Sequence, residues 1–274
     1  LSLALYPISL LWQTGTILKK IKLKKKFRTN VPVICVGNII AGGAGKTPVT
    51  IALAKALKNK NKKVHIIYKL FNTKIKSNYL KITLKDKSCL VGDEPLLSSK
   101  IATTWVCKKR SYGIRAAVND GAEIILLDDG FQDNTIHKDY SIMVINSKQG
   151  FGNKLLIPAG PLRERITGAL NKTDCIFFYG TRKNFSSLLP KCKIKTYFVK
   201  IRSTNSHLSK ALKKKFIAFA GIAHPENFYS FLEKMNVDIA HKISYPDHYQ
   251  YKEKDFEKIL NLSKITKTCI ITTE

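Results

Sequence analysis

The chain has 274 residues and is 44% hydrophobic, which excludes a disordered or fibrous protein and allows one large α/β domain, or one domain plus a smaller second one, with ample core. Its 48 Lys and Arg against 19 Asp and Glu give a formal charge of +29, which favours polyanionic partners such as nucleic acid, anionic lipid or a phosphorylated substrate. Nearly all of the excess is lysine scattered among Asn and Ile, the pattern that A/T-rich codon usage produces. Only the location of the charge is therefore informative, and nucleic acid is not an expected partner.

That location is clearest at the N-terminus. Residues 1–18 carry no charge and are followed by Lys19, Lys20, Lys22, Lys24, Lys25, Lys26 and Arg28. A secretory signal would place its charge before the apolar run and end in small residues, so this is not one. Eighteen helical residues reach about 27 Å, but Pro7 interrupts them and polar residues dilute the second half, which argues against a span. The expected element over 1–28 is a monotopic, membrane-associated helix with Tyr6 and Trp12 at the interface and the lysines on an anionic membrane surface. The competing reading is a buried helix with a solvated lysine tail.

An apolar strand at 31–36 then runs through Gly37-Asn38 into Gly42-Gly43-Ala44-Gly45-Lys46-Thr47 and an apolar-periodic helix at 48–57. A glycine-rich turn between strand and helix supplies bare N–H groups, a helix N-terminus, a lysine charge and a hydroxyl for Mg²⁺, the provisions a polyphosphate needs. Ile40 stands where a strict P-loop has glycine, and Gly42 and Gly43 supply that freedom late. Pro48 suits the first helical turn. Lysines 58–63 read as a solvated helix end.

Strand-length apolar runs recur at 64–67, 123–127, 141–145, 175–178 and 216–220, between amphipathic helices. Such alternation predicts a P-loop NTPase-like α/β fold: a mostly parallel sheet flanked by helices, with ligands at the carboxyl ends of the strands. The polar residues that matter should directly follow those runs. Asp128 and Asp129 do, ahead of Gly130-Phe131-Gln132-Asp133, and at least one of them is read as a Mg²⁺ partner, direct or through water, across from Thr47, with turn formation as the alternative.

Other features stay open on the residues alone. In Val91-Gly92-Asp93-Glu94-Pro95, Asp93 starts a helix and is at least a candidate N-cap. Pro158-Ala159-Gly160-Pro161-Leu162-Arg163-Glu164 is a rigid loop presenting Arg163, either a phosphate clamp or a surface arginine. His248, in Tyr245-Pro246-Asp247-His248-Tyr249, is a lone histidine in an aromatic-rich loop, a type more often structural than catalytic. Asn171-Lys172-Thr173-Asp174 copies a guanine-reading motif but precedes its strand instead of following it, and is taken as coincidence. The six cysteines (35, 89, 107, 175, 192 and 269) show neither Cys-x-x-Cys nor metal-ligand spacing. Buried free thiols in a reducing cytoplasm fit them. Lysines near 210–215 mark a junction, so the expected parts are 1–28, a P-loop core at 29–210 and a smaller C-terminal α/β domain at 211–274.

Taken together, Val36-Gly37-Asn38, the segment from Gly42 to Pro48, the Val91 to Pro95 segment, Asp128 to Asp133, Pro158 to Glu164, Phe219-Ala220-Gly221-Ile222-Ala223-His224-Pro225-Glu226-Asn227-Phe228 and Pro246-Asp247-His248 resemble the tetraacyldisaccharide 4′-kinases of lipid A synthesis, in the family's order and over most of the chain. The resemblance implies an enzyme on the cytoplasmic face of the bacterial inner membrane, peripheral or monotopic. It would move the γ-phosphoryl of ATP to the 4′-hydroxyl of an acylated disaccharide lipid. It implies that Gly42, Gly43, Ala44, Gly45, Lys46 and Thr47 cradle the nucleotide, that Gln132 lies beside it, and that Thr47, Asp128 and Asp129 hold Mg²⁺. Arg163 would steady the phosphoryl group, with Lys46 beside it. Asp93 would take the acceptor's proton and His248 would orient it. Three departures stand out. Tyr68-Lys69-Leu70-Phe71-Asn72 replaces the family's Ser-Arg-Gly-Tyr-Gly, Thr272-Thr273-Glu274 ends inside its Thr-Glu-Lys-Asp segment, and the sequence begins at Leu1 rather than methionine. The alternatives are a P-loop GTPase or metal-delivery protein, and a truncated, non-catalytic remnant of the kinase.

Overall fold

The computed structural model describes residues 5, 7–9, 26–70, 75–200, 214–222, 224–247 and 249–273. The chain divides into two compact units, Leu1–Lys200 and Ile201–Glu274. The helix expected over 1–28 falls largely outside the described residues, among which no helix is long and apolar enough to cross a membrane.

The first unit is built on β1 (Val33–Gly37), β2 (Val64–Lys69), β3 (Tyr79–Lys81), β4 (Thr103–Cys107), β5 (Ile124–Asp128), β6 (Tyr140–Asn146), β7 (Cys175–Tyr179) and β8 (Lys195–Val199). They form one sheet in the order β3-β4-β2-β5-β1-β6-β7-β8, parallel throughout except for the β3–β4 pair. The helices are α1 (Lys46–Lys58), α2 (Ser88–Val91), α3 (Asp93–Ser99), α4 (Arg110–Asn119), α5 (Ile166–Leu170) and α6 (Arg182–Leu188).

Strands buried on both faces need apolar residues at nearly every position, which is why the central ones read as unbroken runs. Cys35, Ile125, Leu127, Met143 and Ile145 point to one face, packed with Ile114 and Ala117 of α4 and Ala169 of α5. Their neighbours Val36, Ile142 and Val144 point to the other, against Val49 of α1. Five strands escaped the sequence reading because that signature fails in them. Strand β4 opens with two threonines and β3 is only three residues long. Strand β8 is an edge with Tyr197 and Phe198 exposed.

The second unit holds β9 (Lys215–Ala220), α7 (Pro225–Lys234), β10 (Asp238–Ser244), α8 (Glu253–Thr266) and β11 (Cys269–Thr272). Its parallel sheet has the order β10-β9-β11, which leaves only β9 flanked on both sides and makes it the one legible apolar run. Phe216 and Ala218 pack under Tyr229 and Leu232 of α7, and Ile217 and Phe219 under Ile259 of α8.

Candidate active site

Strand β1 lies between β5 and β6, with Val36 level with Asp128. The turn after β1 and the residues after β5 therefore share one carboxyl edge, where ligands bind in parallel α/β sheets. Gly42 and Gly45 have φ of 109° and 85°, and Gly45 is the N-cap of α1 in a left-handed conformation. A Cβ at Gly45 would sit 2.9 Å from the Tyr179 ring, so the position is closed to side chains on two counts. Lys46 and Thr47 are the first helical residues, and Thr47 and Ala44 are buried.

The loop carrying Arg163 is stitched to this turn by backbone bonds: Ile40 bridges Leu162, Ala41 N donates to Pro161 O at 2.8 Å, and Arg163 N donates to Ile39 O at 2.7 Å. Arg163 is thus held over the phosphate cradle by residues more than a hundred positions earlier. Its Nη1 reaches both Asp129 oxygens, at 2.9 and 2.8 Å, and Lys46 Nζ lies 3.8 Å from the same carboxylate. Asp129 turns toward these cations because its backbone adopts φ 49°, uncommon outside glycine and best tolerated by Asn and Asp.

Asp128 is placed differently. It ends β5, is 1% exposed, and takes the Tyr68 hydroxyl on Oδ2 at 3.0 Å, with Ser98 Oγ 2.7 Å from that hydroxyl. Its Oδ1 is buried with no partner among the described residues. Burial pushes the carboxyl up to about 6 and the nearby Glu94 charge adds to this, while Tyr68 and Lys46 pull the other way. An orphaned, dehydrated carboxylate oxygen, next in sequence to a second carboxylate and on the carboxyl edge from which the helix-start threonine follows, is a donor set suited to a hard divalent cation. Mg²⁺ keeps waters and substrate oxygens as its remaining ligands. Among the described residues no cluster of three or more His, Cys, Asp or Glu is arranged to hold a metal.

Gln132 donates to Asn38 O at 2.7 Å and Glu164 Oε1 at 3.0 Å, joining the turn after β5 to the residue that enters the P-loop. Asp93 is the first residue of α3 and exposed, with Gly92 at the cap position, so it is not the N-cap. His248 lies outside the described residues. The structure thus brings together Gly42, Gly43, Ala44, Gly45, Lys46, Thr47, Asp128, Asp129, Gln132 and Arg163. Asp93 and His248 belong to different compact units.

Sequence reasoning missed four contributors. Tyr68, which donates to Asp128, stands in the sequence only as a departure from the family's pattern. Arg110, the first residue of α4 and 5% exposed, clamps the Asp128 and Asp129 carbonyls at 3.0 and 2.9 Å and pairs with Asp133 at 3.1 Å. Burial opposes ionisation of Asp133, yet Thr135 and Arg110 hold its carboxyl below the ordinary value. Glu164 and Lys172 complete the set. A basic residue opening the helix after β4 was a usable signal for Arg110, had β4 been legible.

A mostly parallel sheet with a glycine-rich, lysine-bearing turn after its central strand and acidic residues ending the adjacent strand defines a P-loop NTPase-like protein. The family model described as LpxK, tetraacyldisaccharide-1-P 4′-kinase, matches residues 1–274. The tetraacyldisaccharide 4′-kinase of Parvibaculum lavamentivorans is 39% identical over 252 residues, covering 90% of this chain and 72% of that one. That of Gluconobacter oxydans is 34% identical, covering 94% and 79%. The crystal structure of LpxK from Aquifex aeolicus in complex with ATP superposes with a TM-score of 0.76 at 24% identity, over 99% of this chain and 88% of that one, and so shares the fold. The chain belongs to the tetraacyldisaccharide-1-P 4′-kinase family. It is a lipid-sugar kinase by family, which sets aside the GTPase and metal-delivery alternative.

Proposed function

We propose that this chain transfers the γ-phosphoryl of ATP to the 4′-hydroxyl of an acylated disaccharide 1-phosphate, with Mg²⁺, at the cytoplasmic face of the bacterial inner membrane. The observation that carries the reading is the convergence of Lys46, Asp129 and Arg163 on one carboxyl edge, beside the buried Asp128.

In this reading the N–H groups from Gly42 to Thr47 cradle the β- and γ-phosphates and Lys46 neutralises them. Thr47, Asp128 and Asp129 would hold Mg²⁺, which when bound screens the phosphate charge. Arg163 exchanges its Asp129 partner for the transferring group, and Gln132 keeps the turn in register. Asp93 accepts the proton of the sugar hydroxyl, a contribution of about 10²–10⁴ in rate, and His248 assists the same step. Residues 1–28 seat the enzyme on the anionic surface where its lipid resides, residues 29–210 form the donor core, and residues 211–274 carry His248.

Label transfer from γ-labelled ATP to the acylated disaccharide 1-phosphate, with and without Mg²⁺, tests the reaction. No transfer by a protein that ATP still protects against unfolding would favour a non-catalytic remnant. Loss of sedimentation with phosphatidylglycerol vesicles after removal of residues 1–28 tests the surface reading, and unchanged sedimentation would refute it.

A further inference from the structure

The run Asn171-Lys172-Thr173-Asp174 has no guanine to read, and the structure gives its residues other work. Asn171 caps α5 and Asp174 Oδ2 accepts Ser141 N at 2.7 Å, tethering the chain to β6. Lys172 turns inward instead. Its Nζ donates to Phe131 O at 2.8 Å, lies 2.9 and 2.8 Å from the two Glu164 oxygens, and stands 4.5 Å from the centroid of the Phe131 ring.

Both ends of this contact belong to the site. Glu164 follows Arg163 directly and accepts from Gln132, which also holds Asn38 O. Phe131 is 1% exposed, and a Cβ on Gly37 would stand only 2.6 Å from its Cβ, so its ring seats against the strand end that launches the P-loop. Lys172 therefore adds a tie between the loop bearing Arg163 and the turn bearing Asp129 and Gln132, beside the direct Gln132–Glu164 and Arg163–Asp129 bonds, and shares the Phe131 carbonyl with Lys138 Nζ at 3.0 Å. Glu164 is 11% exposed, and removing the cation would leave its charge dehydrated and uncompensated.

We propose that Lys172 is a positioning residue for phosphoryl transfer, acting through Glu164 and the Phe131 carbonyl to hold Arg163 and Gln132 against the P-loop. This rests on the kinase reading above. A displacement of about 1 Å at a reacting centre costs roughly 100-fold, so Lys172→Met is expected to lower kcat about 10- to 100-fold with KM for the acceptor nearly unchanged. Lys172→Arg, which keeps charge and donors, should restore kcat to within about threefold of wild type. In an Arg163→Ala background, Lys172→Met should cost less than about threefold, because two residues acting through one contact are not additive.

Wild-type kcat in Lys172→Met, a full independent loss in the Arg163→Ala background, or a lowered melting temperature with no rescue by arginine would each overturn the proposal. Should Lys172→Met not fold, Glu164→Gln breaks the same tie while keeping an acceptor for Gln132, and it must show the same loss of kcat. Wild-type transfer measured in parallel separates the two readings. If wild type transfers nothing, the kinase reading falls, and the tie is then judged by ATP protection against unfolding, which must be reduced in Lys172→Met and kept in Lys172→Arg.

Discussion

Asp128→Asn is expected to make the unliganded protein more stable above pH 6 while removing its transferase activity. A carboxyl carried from 3.8 to about 6 costs the folded state about 3 kcal/mol once it is ionised. The sign follows from proton binding. Between those two values the folded protein holds the proton more tightly than the unfolded chain, so stability is greatest below pH 3.8, falls as pH rises, and stops falling above about 6. Asparagine removes that slope. Tyr68 can still donate to the amide oxygen, while the new Nδ2 in the place of the orphaned Oδ1 adds a pH-independent cost of about 1–3 kcal/mol. The informative quantity is therefore the change in the stability gap with pH. About half of the ionisation penalty develops between pH 5 and 8, so urea unfolding should show the gap moving in favour of the variant by about 1.5 kcal/mol across that range. The buried Trp105, on β4 of the same sheet, can report it by fluorescence. A gap constant to within about 0.5 kcal/mol would refute the claim that Asp128 is ionised at a dehydrated site. Transfer should drop by at least about 100-fold, since an amide oxygen brings no negative charge to the cation that Asp128 is proposed to hold.

Arg163→Lys should lower kcat about 10- to 100-fold at saturating ATP, because Nη1 alone serves both Asp129 oxygens and an ammonium lacks the further planar donors with which the guanidinium would take the phosphoryl oxygens; wild-type turnover would count against the phosphoryl role. Asp93→Asn and His248→Ala should each cost about 10²–10⁴ in kcat, and the pairing is wrong if both keep wild-type turnover. Gly37→Ala should destabilise the first unit by about 1–3 kcal/mol, because its methyl would stand 2.6 Å from Phe131 Cβ; an unchanged urea midpoint would show that the Phe131 turn yields freely.

The phosphate cradle was legible because its chemistry is local. A strand, a turn needing positive φ at Gly42 and Gly45, and a helix opening on Lys46 and Thr47 are neighbours in sequence, and no distant contact is required to recognise them. The central strands were legible for a related reason: burial on both faces writes itself as an unbroken apolar run. Where only one face or an edge is covered, as in β3, β8 and β10, the run breaks and the strand disappears from the pattern.

The division of labour within the site was a different matter. Asp128 and Asp129 are adjacent and chemically identical, and the sequence offered them one shared role. Alternation along β5 and the positive φ that follows send one carboxylate into the core beside Tyr68 and the other out to Lys46 and Arg163. That Arg163 reaches the cradle at all depends on the bridge from Ile40 to Leu162, and the tie through Lys172 depends on the Phe131 carbonyl. The sequence by itself determined the fold class, the family and the phosphate-binding turn, because those follow from short-range spacing and burial. Only the tertiary structure decided which carboxylate is buried and which cations face the other, because those depend on contacts between segments far apart along the chain.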